Sequence, residues 1–257
     1  MAMKHALIWV TGLGLVASAA LSQSDLNPAA SEQWEPKPPV VAPLETDGAA
    51  LLDALILFDG TGLNEWEDSN GGPAGWRVAG GVLTVDKASG NIRTKRRFTD
   101  FQIHVEWRIP VGITGSGQAR GNSGLFLAAT GSGDSGYELQ ILDSHANDTY
   151  VNGQAGAIYK QHPPLANPAR PAGQWQSYDV TWTAPRFGAD GKLLSPARVT
   201  AFFNGVLIQN NVELAGETVF IGRASYRAHG PSPIMLQAHR DPSEPISFRN
   251  IWVREVR

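Results

Sequence analysis

Gly121-Asn122-Ser123-Gly124-Leu125-Phe126-Leu127, followed shortly by Tyr137-Glu138-Leu139-Gln140-Ile141-Leu142-Asp143-Ser144, is where this chain declares its fold. Both runs alternate apolar and polar residues with the period of two that marks a half-buried strand. The second run carries its ionisable groups on the strand itself. Charged side chains are rarely half-buried without a partner, so Glu138 is either tied into an ion pair or faces a polar cleft. Working outward, an apolar run closed by Asp-Gly, Leu55-Ile56-Leu57-Phe58-Asp59-Gly60, opens the folded region. Strand-like runs then recur between turns at residues 76–78, 82–85, 101–109, 123–128, 137–142, 177–183, 199–203, 234–238 and 246–253. This spacing predicts an all-β fold, a sandwich of two antiparallel sheets. Asn204-Gly205, between Thr200-Ala201-Phe202-Phe203 and Val206-Leu207-Ile208, is the strongest hairpin signal, because both turn residues tolerate positive φ. No helix pattern of convincing length follows residue 50.

The 257 residues, 42% hydrophobic and only 18% charged, suit one large β domain with a substantial core. A net charge of -3 provides no electrostatic footprint for nucleic acid or an anionic membrane. The basic run Lys95-Arg96-Arg97 is too short to steer a partner and reads as a solvated turn or edge. Lys4 and His5, an apolar run over residues 6–16 and the small residues Ala17-Ser18-Ala19 have the layout of a signal peptide spanning residues 1–22. The apolar run is shorter than the roughly 18 to 20 residues a spanning helix needs. With no Cys in the chain, a lipid-modified N-terminus, disulfides and thiolate metal sites are all ruled out. Residues 23–50, with Pro36-Lys37-Pro38-Pro39 near their centre, read as a disordered Pro-rich tether ahead of a domain over 51–257. The mature protein is expected in the periplasm or beyond, with no membrane association after cleavage.

Seven motifs then occur in one order: Leu57-Phe58-Asp59-Gly60 with Leu63 and Trp66 downstream; Gly121-Asn122-Ser123-Gly124; the 137–143 strand; Gly156-Ala157-Ile158-Tyr159; Gly173-Gln174-Trp175-Gln176-Ser177-Tyr178; Leu236-Gln237-Ala238-His239; and Phe248-Arg249-Asn250-Ile251-Trp252-Val253-Arg254. Together they resemble the 3-keto-disaccharide hydrolase family, from about residue 55 to the C-terminus. The resemblance implies a concanavalin A-like jelly-roll sandwich and an exported bacterial protein acting on a carbohydrate or glycoside. It also implies a chemistry. A carbonyl at C3 of a sugar acidifies the C2 proton, so the glycosidic bond leaves by elimination and water adds afterwards. Such a site needs a base, an acid and a stabiliser for the enolate. An ordinary glycosidase needs two carboxyl groups instead, about 5.5 Å or about 6.5 to 9.5 Å apart.

Glu138, Asp143 and His239 are the catalytic candidates. Glu138 and Gln140 share a strand face, whereas Asp143 has opposite parity and joins them only if a bulge intervenes near Ile141-Leu142. The arrangement resembles the carboxylate strand of laminarinase-like enzymes, except that Gln140 stands where those have a central Asp. For Glu138 the rival reading is a structural ion pair with Arg120, Arg249 or Lys160. His239 closes a predicted strand ahead of Arg240-Asp241-Pro242, a position suited to proton transfer or metal binding. Family members often follow that His with Gly, so the longer turn here is expected to alter the cleft rim. Asn122, Ser123, Gln140, Tyr159, Lys160, Gln237 and Arg249 are the candidate substrate contacts. For Asn122 and Ser123 the rival is a locally bonded turn, for Arg249 a structural pair, and for Lys160 simple solvation.

A His and carboxylates are ligands a divalent cation accepts, although no compact spacing such as His-x-x-x-His supports a metal site. Two functions are weighed: a hydrolase or lyase of 3-keto-glycosides, and a carbohydrate-binding module without turnover on the same sandwich. The several titratable residues at motif positions favour the enzyme. Nothing in the sequence identifies a protein partner.

Overall fold

A computed structural model describes residues 27–37 and 54–256, so the expected signal peptide lies outside the described residues. Fifteen strands appear in order: β1 (Leu55–Phe58), β2 (Trp66–Asp68), β3 (Arg77–Ala79), β4 (Val82–Thr84), β5 (Ile92–Thr94), β6 (Phe101–Arg108), β7 (Ser123–Ala129), β8 (Gly136–Ile141), β9 (Trp175–Thr183), β10 (Arg186–Phe187), β11 (Leu193–Ser195), β12 (Arg198–Phe203), β13 (Val206–Glu213), β14 (Met235–Leu236) and β15 (Ser247–Glu255). The helical elements among the described residues are short 3-10 turns at Pro28–Ser31, Gly117–Ala119 and Val151–Gly153. The larger sheet runs β13-β12-β9-β6-β15-β4-β3, with β1 also paired to β15, and the smaller runs β2-β5-β14-β7-β8. All strand pairings are antiparallel.

The expected hairpin joins β12 and β13: Phe203 faces Val206, and Asn204 and Gly205 both have positive φ, 49° and 80°. Strand alternation sends every second residue into the space between the sheets. Ile103, Val105 and Trp107 of β6, Tyr178, Val180 and Trp182 of β9, and Phe248, Ile251 and Val253 of β15 meet Leu125 and Leu127 of β7 and Tyr137, Leu139 and Ile141 of β8 in one contiguous core. Each fully buried side chain of this size contributes about 1.5–3 kcal/mol. Two contacts lock the smaller sheet against the larger. The rings of Tyr137 and Trp182 lie 5.1 Å apart, and the Tyr178 hydroxyl donates to the Gln140 carbonyl at 2.7 Å. With Tyr137 and Leu139 in the core, Glu138 and Gln140 must occupy the other face of β8, as parity requires.

Candidate active site

On the outer face of the smaller sheet the strand registers align two rows. Glu67, Arg93, Met235, Phe126 and Glu138 form the first, since Glu67 faces Arg93, Arg93 faces Met235, Met235 faces Phe126 and Phe126 faces Glu138. In the second row Gly124 faces Gln140, and the Gln237 amide N–H donates to the Gly124 carbonyl at 3.0 Å. Gly124 is the floor. A Cβ there would stand 2.6 Å from Glu138 Oε1, so glycine is what lets the carboxyl fold down onto β7.

Glu138 is 6% exposed, and among the described residues its carboxyl has no hydrogen-bond or ion-pair partner. Its backbone is well held: the N–H donates to Thr218 Oγ1 at 3.0 Å, and the carbonyl accepts from the Tyr159 N–H at 3.2 Å. Burial, reinforced by the nearby Asp134 carboxylate, pushes the Glu138 carboxyl up to about 8. A group placed this way keeps its proton at neutral pH and is poised for proton transfer.

Around it lie unsatisfied acceptors and engaged donors. Gln140 donates through Nε2 to Gln118 Oε1 at 3.1 Å and to the Gly153 carbonyl at 3.3 Å, leaving its own buried Oε1 without a partner. Gln237 Oε1 is likewise buried and unpartnered. Buried acceptors are costly unless something donates to them. The Tyr150 and Tyr159 hydroxyls are 2.6 Å apart. Burial raises both their pKa values, and the Glu138 carboxylate adds to the rise in each. Two hydroxyls carry two protons and their mutual bond uses one, so the pair can donate the other outward. Lys160, with φ of 58°, donates to the Phe220 carbonyl at 2.9 Å and sits 4.6 Å from the Phe220 ring centroid. Its pKa is lowered, because burial outweighs the opposing Glu32 carboxylate.

The remaining candidates have separate roles. Ser123 is fully buried and donates to the Gln237 carbonyl at 2.7 Å, fastening β7 to β14. Asn122 donates to the Gln118 carbonyl at 2.9 Å, closing its own loop. Asp143 is 2% exposed and pairs with Arg120 Nε at 2.7 Å while accepting the His145 N–H at 3.2 Å. Ile141 and Leu142 both enter the core because β8 ends at Ile141; the register of β8 with β7 is regular there, without the bulge the parity argument required, and Asp143 turns toward the Arg120 loop. Arg120 therefore serves Asp143 and not Glu138.

His239 has a side chain 37% exposed, with Nδ1 3.2 Å from Asp241 Oδ2. Asp241 is held in turn by Lys87 Nζ at 3.1 Å and by the Ser243 hydroxyl. Burial would raise the Asp241 pKa, but bonds from His239, Ser243 and Lys87 outweigh it and hold it at about 2. The turn after His239 thus holds the imidazole through Asp241, whose carboxylate and backbone N both lie 3.2 Å from Nδ1. Arg249 is placed elsewhere. It pairs with Glu106 at 2.6 Å and lies 4.2 Å over the Trp175 ring, on the outer face of the larger sheet, with the whole core between it and Glu138. Among the described residues, no group of three His, Asp or Glu is arranged to hold a metal ion.

The sequence pattern missed Tyr150, Gln118 and residues 31–34. Within the stretch expected to be a tether, the Asn152 side chain accepts from the Gln33 N–H at 3.1 Å and donates to the Ser31 carbonyl at 2.9 Å. The Val151 N–H donates to the Gln33 carbonyl. None of these residues lies in a periodic run; the legible hint was Trp34, an aromatic residue within a Pro-rich stretch.

A β-sandwich with a protonated buried carboxyl, orphaned amide oxygens and paired tyrosines on one sheet face has the make-up of a glycosyl hydrolase-like protein. The chain belongs to the 3-keto-alpha-glucoside-1,2-lyase-like domain family, whose model matches residues 53–254. It is similar to a putative glycosyl hydrolase from Parabacteroides distasonis of known structure, at 47% identity and a TM-score of 0.77, covering 96% of this chain and 100% of that one. A second putative glycosyl hydrolase from the same organism, 19% identical with a TM-score of 0.58 over 82% of this chain and all of its own, shares the fold. A 3-keto-disaccharide hydrolase from Bacteroides thetaiotaomicron is 25% identical over 171 residues, 54% of this chain. The match spans about half of that relative, 53% of its length.

Proposed function

We propose that the protein is an exported enzyme that cleaves 3-keto-glycosides, 3-keto-disaccharides among them, by elimination followed by hydration. The observation that carries this reading is the buried, unpaired Glu138 carboxyl, pushed up to about 8. The C2 proton passes to a base, the C1–C2 double bond forms, the C1–O bond breaks, and the departing oxygen takes the Glu138 proton. Water then adds across the double bond, its oxygen to C1, while the base returns a proton to C2 and Glu138 regains one from the water. His239, oriented by Asp241, is the base in this scheme. The Tyr150–Tyr159 pair donates to the C3 oxygen, where charge develops. Gln140 and Gln237 accept from sugar hydroxyls. A two-carboxylate glycosidase mechanism finds less support, because Asp143 is committed to Arg120. The substrate class agrees with the name of the Bacteroides relative.

The test is to incubate the purified protein with a 3-keto-disaccharide and with its unoxidised parent while following sugar release. Release from the keto substrate alone is expected, and Glu138→Gln should lower kcat about 10²- to 10⁴-fold. Equal release from both substrates refutes the elimination. Binding without release from either would make the protein a carbohydrate-binding module.

A further inference from the structure

Residues 31–34 are built into the wall of the site. Asn152, 4% exposed, spends both ends of its amide on the backbone of Ser31 and Gln33, and the neighbouring Val151 N–H adds a third bond. This fastening holds Trp34 edge-on to Tyr150, with centroids 6.4 Å apart and planes at 70°. Tyr150 meets Tyr159 one step further, at 6.2 Å, and the Tyr159 N–H is bonded to the Glu138 carbonyl. The rings of Trp34, Tyr150 and Tyr159 therefore run in sequence toward β8, the strand that carries Glu138. Trp66, Trp76, Trp107, Trp182 and Trp252 are each no more than 4% exposed, whereas Trp34 is 51% exposed. A buried amide thus positions a large apolar ring that remains half in water.

We propose that Trp34 is a specificity-determining residue: its indole is the stacking platform for the ring of the leaving group, so that the preferred substrates are glycosides of a second sugar and not of a small alkyl group. Trp34 stands beyond the Tyr150–Tyr159 pair, so a ring seated on its indole belongs to a second unit adjoining the one that pair holds. Indole suits the task, since it presents a flat apolar face to the C–H face of a pyranose and loses little rotamer freedom in doing so. The inference rests on the glycoside-cleaving reading of the Glu138 site.

Steady-state kinetics of wild type, Trp34→Ala and Trp34→Phe on a 3-keto-disaccharide and on methyl 3-keto-glucoside separate the two. Trp34→Ala should raise KM for the disaccharide about three- to tenfold, the scale of one aromatic contact, with kcat within about twofold. Trp34→Phe should recover most of the loss, and the methyl glycoside should be unaffected. Asn152→Ala, which unfastens the segment without touching the indole, should reproduce the Trp34→Ala pattern. No change on either substrate, or equal change on both, overturns the proposal while leaving the Glu138 reading intact. If wild type turns over neither substrate, titration of the unoxidised disaccharide and methyl glucoside by tryptophan fluorescence decides. A selectively weaker disaccharide Kd in Trp34→Ala supports the platform even though the enzymatic reading has failed. An equal Kd, or no binding by wild type, overturns it.

Discussion

Replacing Glu138 with Gln should make the protein more stable, and the gain should grow with pH. The unfolded chain ionises this carboxyl near its ordinary 4.5, whereas the folded state resists until about 8. The sign follows from linkage. Below 4.5 both states hold the proton and there is no penalty; between 4.5 and 8 only the unfolded state releases it, so stability falls as pH rises. At roughly 1.4 kcal/mol per pH unit, the cost is about 3 kcal/mol at pH 7 and about 4 kcal/mol at pH 8. Gln keeps the shape and is equally neutral, so the cost of burying a polar group largely cancels and the pH-dependent part remains. A domain of this size gains about 2–4 °C per kcal/mol, which puts the variant roughly 6–12 °C above wild type at pH 7.

The assay is thermal unfolding of both proteins at pH 5, 6, 7 and 8. Their melting temperatures should nearly meet at pH 5 and diverge steadily above it. Parallel curves, with the same gap at every pH, would mean that Glu138 ionises normally in the fold. The argument for a proton-holding acid would then be lost, whatever the activity measurements showed. A gain in stability coupled to a loss of turnover would mark the residue as retained for chemistry at the expense of the fold.

Other perturbations separate the site from its scaffold. Gly124→Ala pushes a Cβ to 2.6 Å from the Glu138 carboxyl, whose far end can swing aside; turnover should fall at least tenfold with melting within a few degrees of wild type, and unchanged turnover would mean that the carboxyl's seat on β7 is irrelevant. His239→Ala should lower kcat by about 10²-fold or more while a substrate analogue still binds, and near-full activity would remove His239 as the base. His104→Gln should destabilise the fold by roughly 2–3 kcal/mol at pH 6, because Asp179 and Glu106 hold this imidazole at about 9 against burial. That contribution is present below 6.5 and lost as pH rises through 9, so denaturant unfolding of the two proteins should converge near pH 10.

Alternation made β6, β9, β12 and β15 of the large sheet legible because each is long enough to show a period and has one face in the core. β2 and β5 were not read, since Trp66-Glu67-Asp68 and Ile92-Arg93-Thr94 offer three residues each, and their outward members, Glu67 and Arg93, pair across the sheet at 2.8 Å. Parity alone put Glu138 and Gln140 on one face. Parity could not say which cation would pair with which carboxylate, because that depends on where loops return. Arg120 lies close in sequence to β7 and reaches Asp143, while Arg249 is on the other sheet and reaches Glu106. The docking of residues 31–34 was illegible for a related reason: three hydrogen bonds to the 151–152 turn leave no apolar period behind.

The two outer faces of the sandwich carry ionisable groups under opposite terms, and the contrast supports the proposed placing of the site on the face that carries Glu138. On the larger sheet His104 Nδ1 meets Asp179 at 2.7 Å, Glu106 accepts from Arg249 at 2.6 Å and from Asn250 at 2.8 Å, and His104 stacks on Trp252 at 5.4 Å. Burial would raise the Glu106 pKa, yet His104, Asn250 and Arg249 bring it down to about 2. Those charges are paired, with His104 Nε2 at 3.6 Å from Glu106, and losing any partner would strand another in a low-dielectric setting. Glu138 has the same burial and no such company. A fold able to pair Glu106, Asp143 and Asp241, each with a cation in reach, leaves Glu138 unpaired beside two unpartnered amide oxygens. That arrangement is destabilising until a molecule carrying several hydroxyl donors binds, and a sugar is such a molecule.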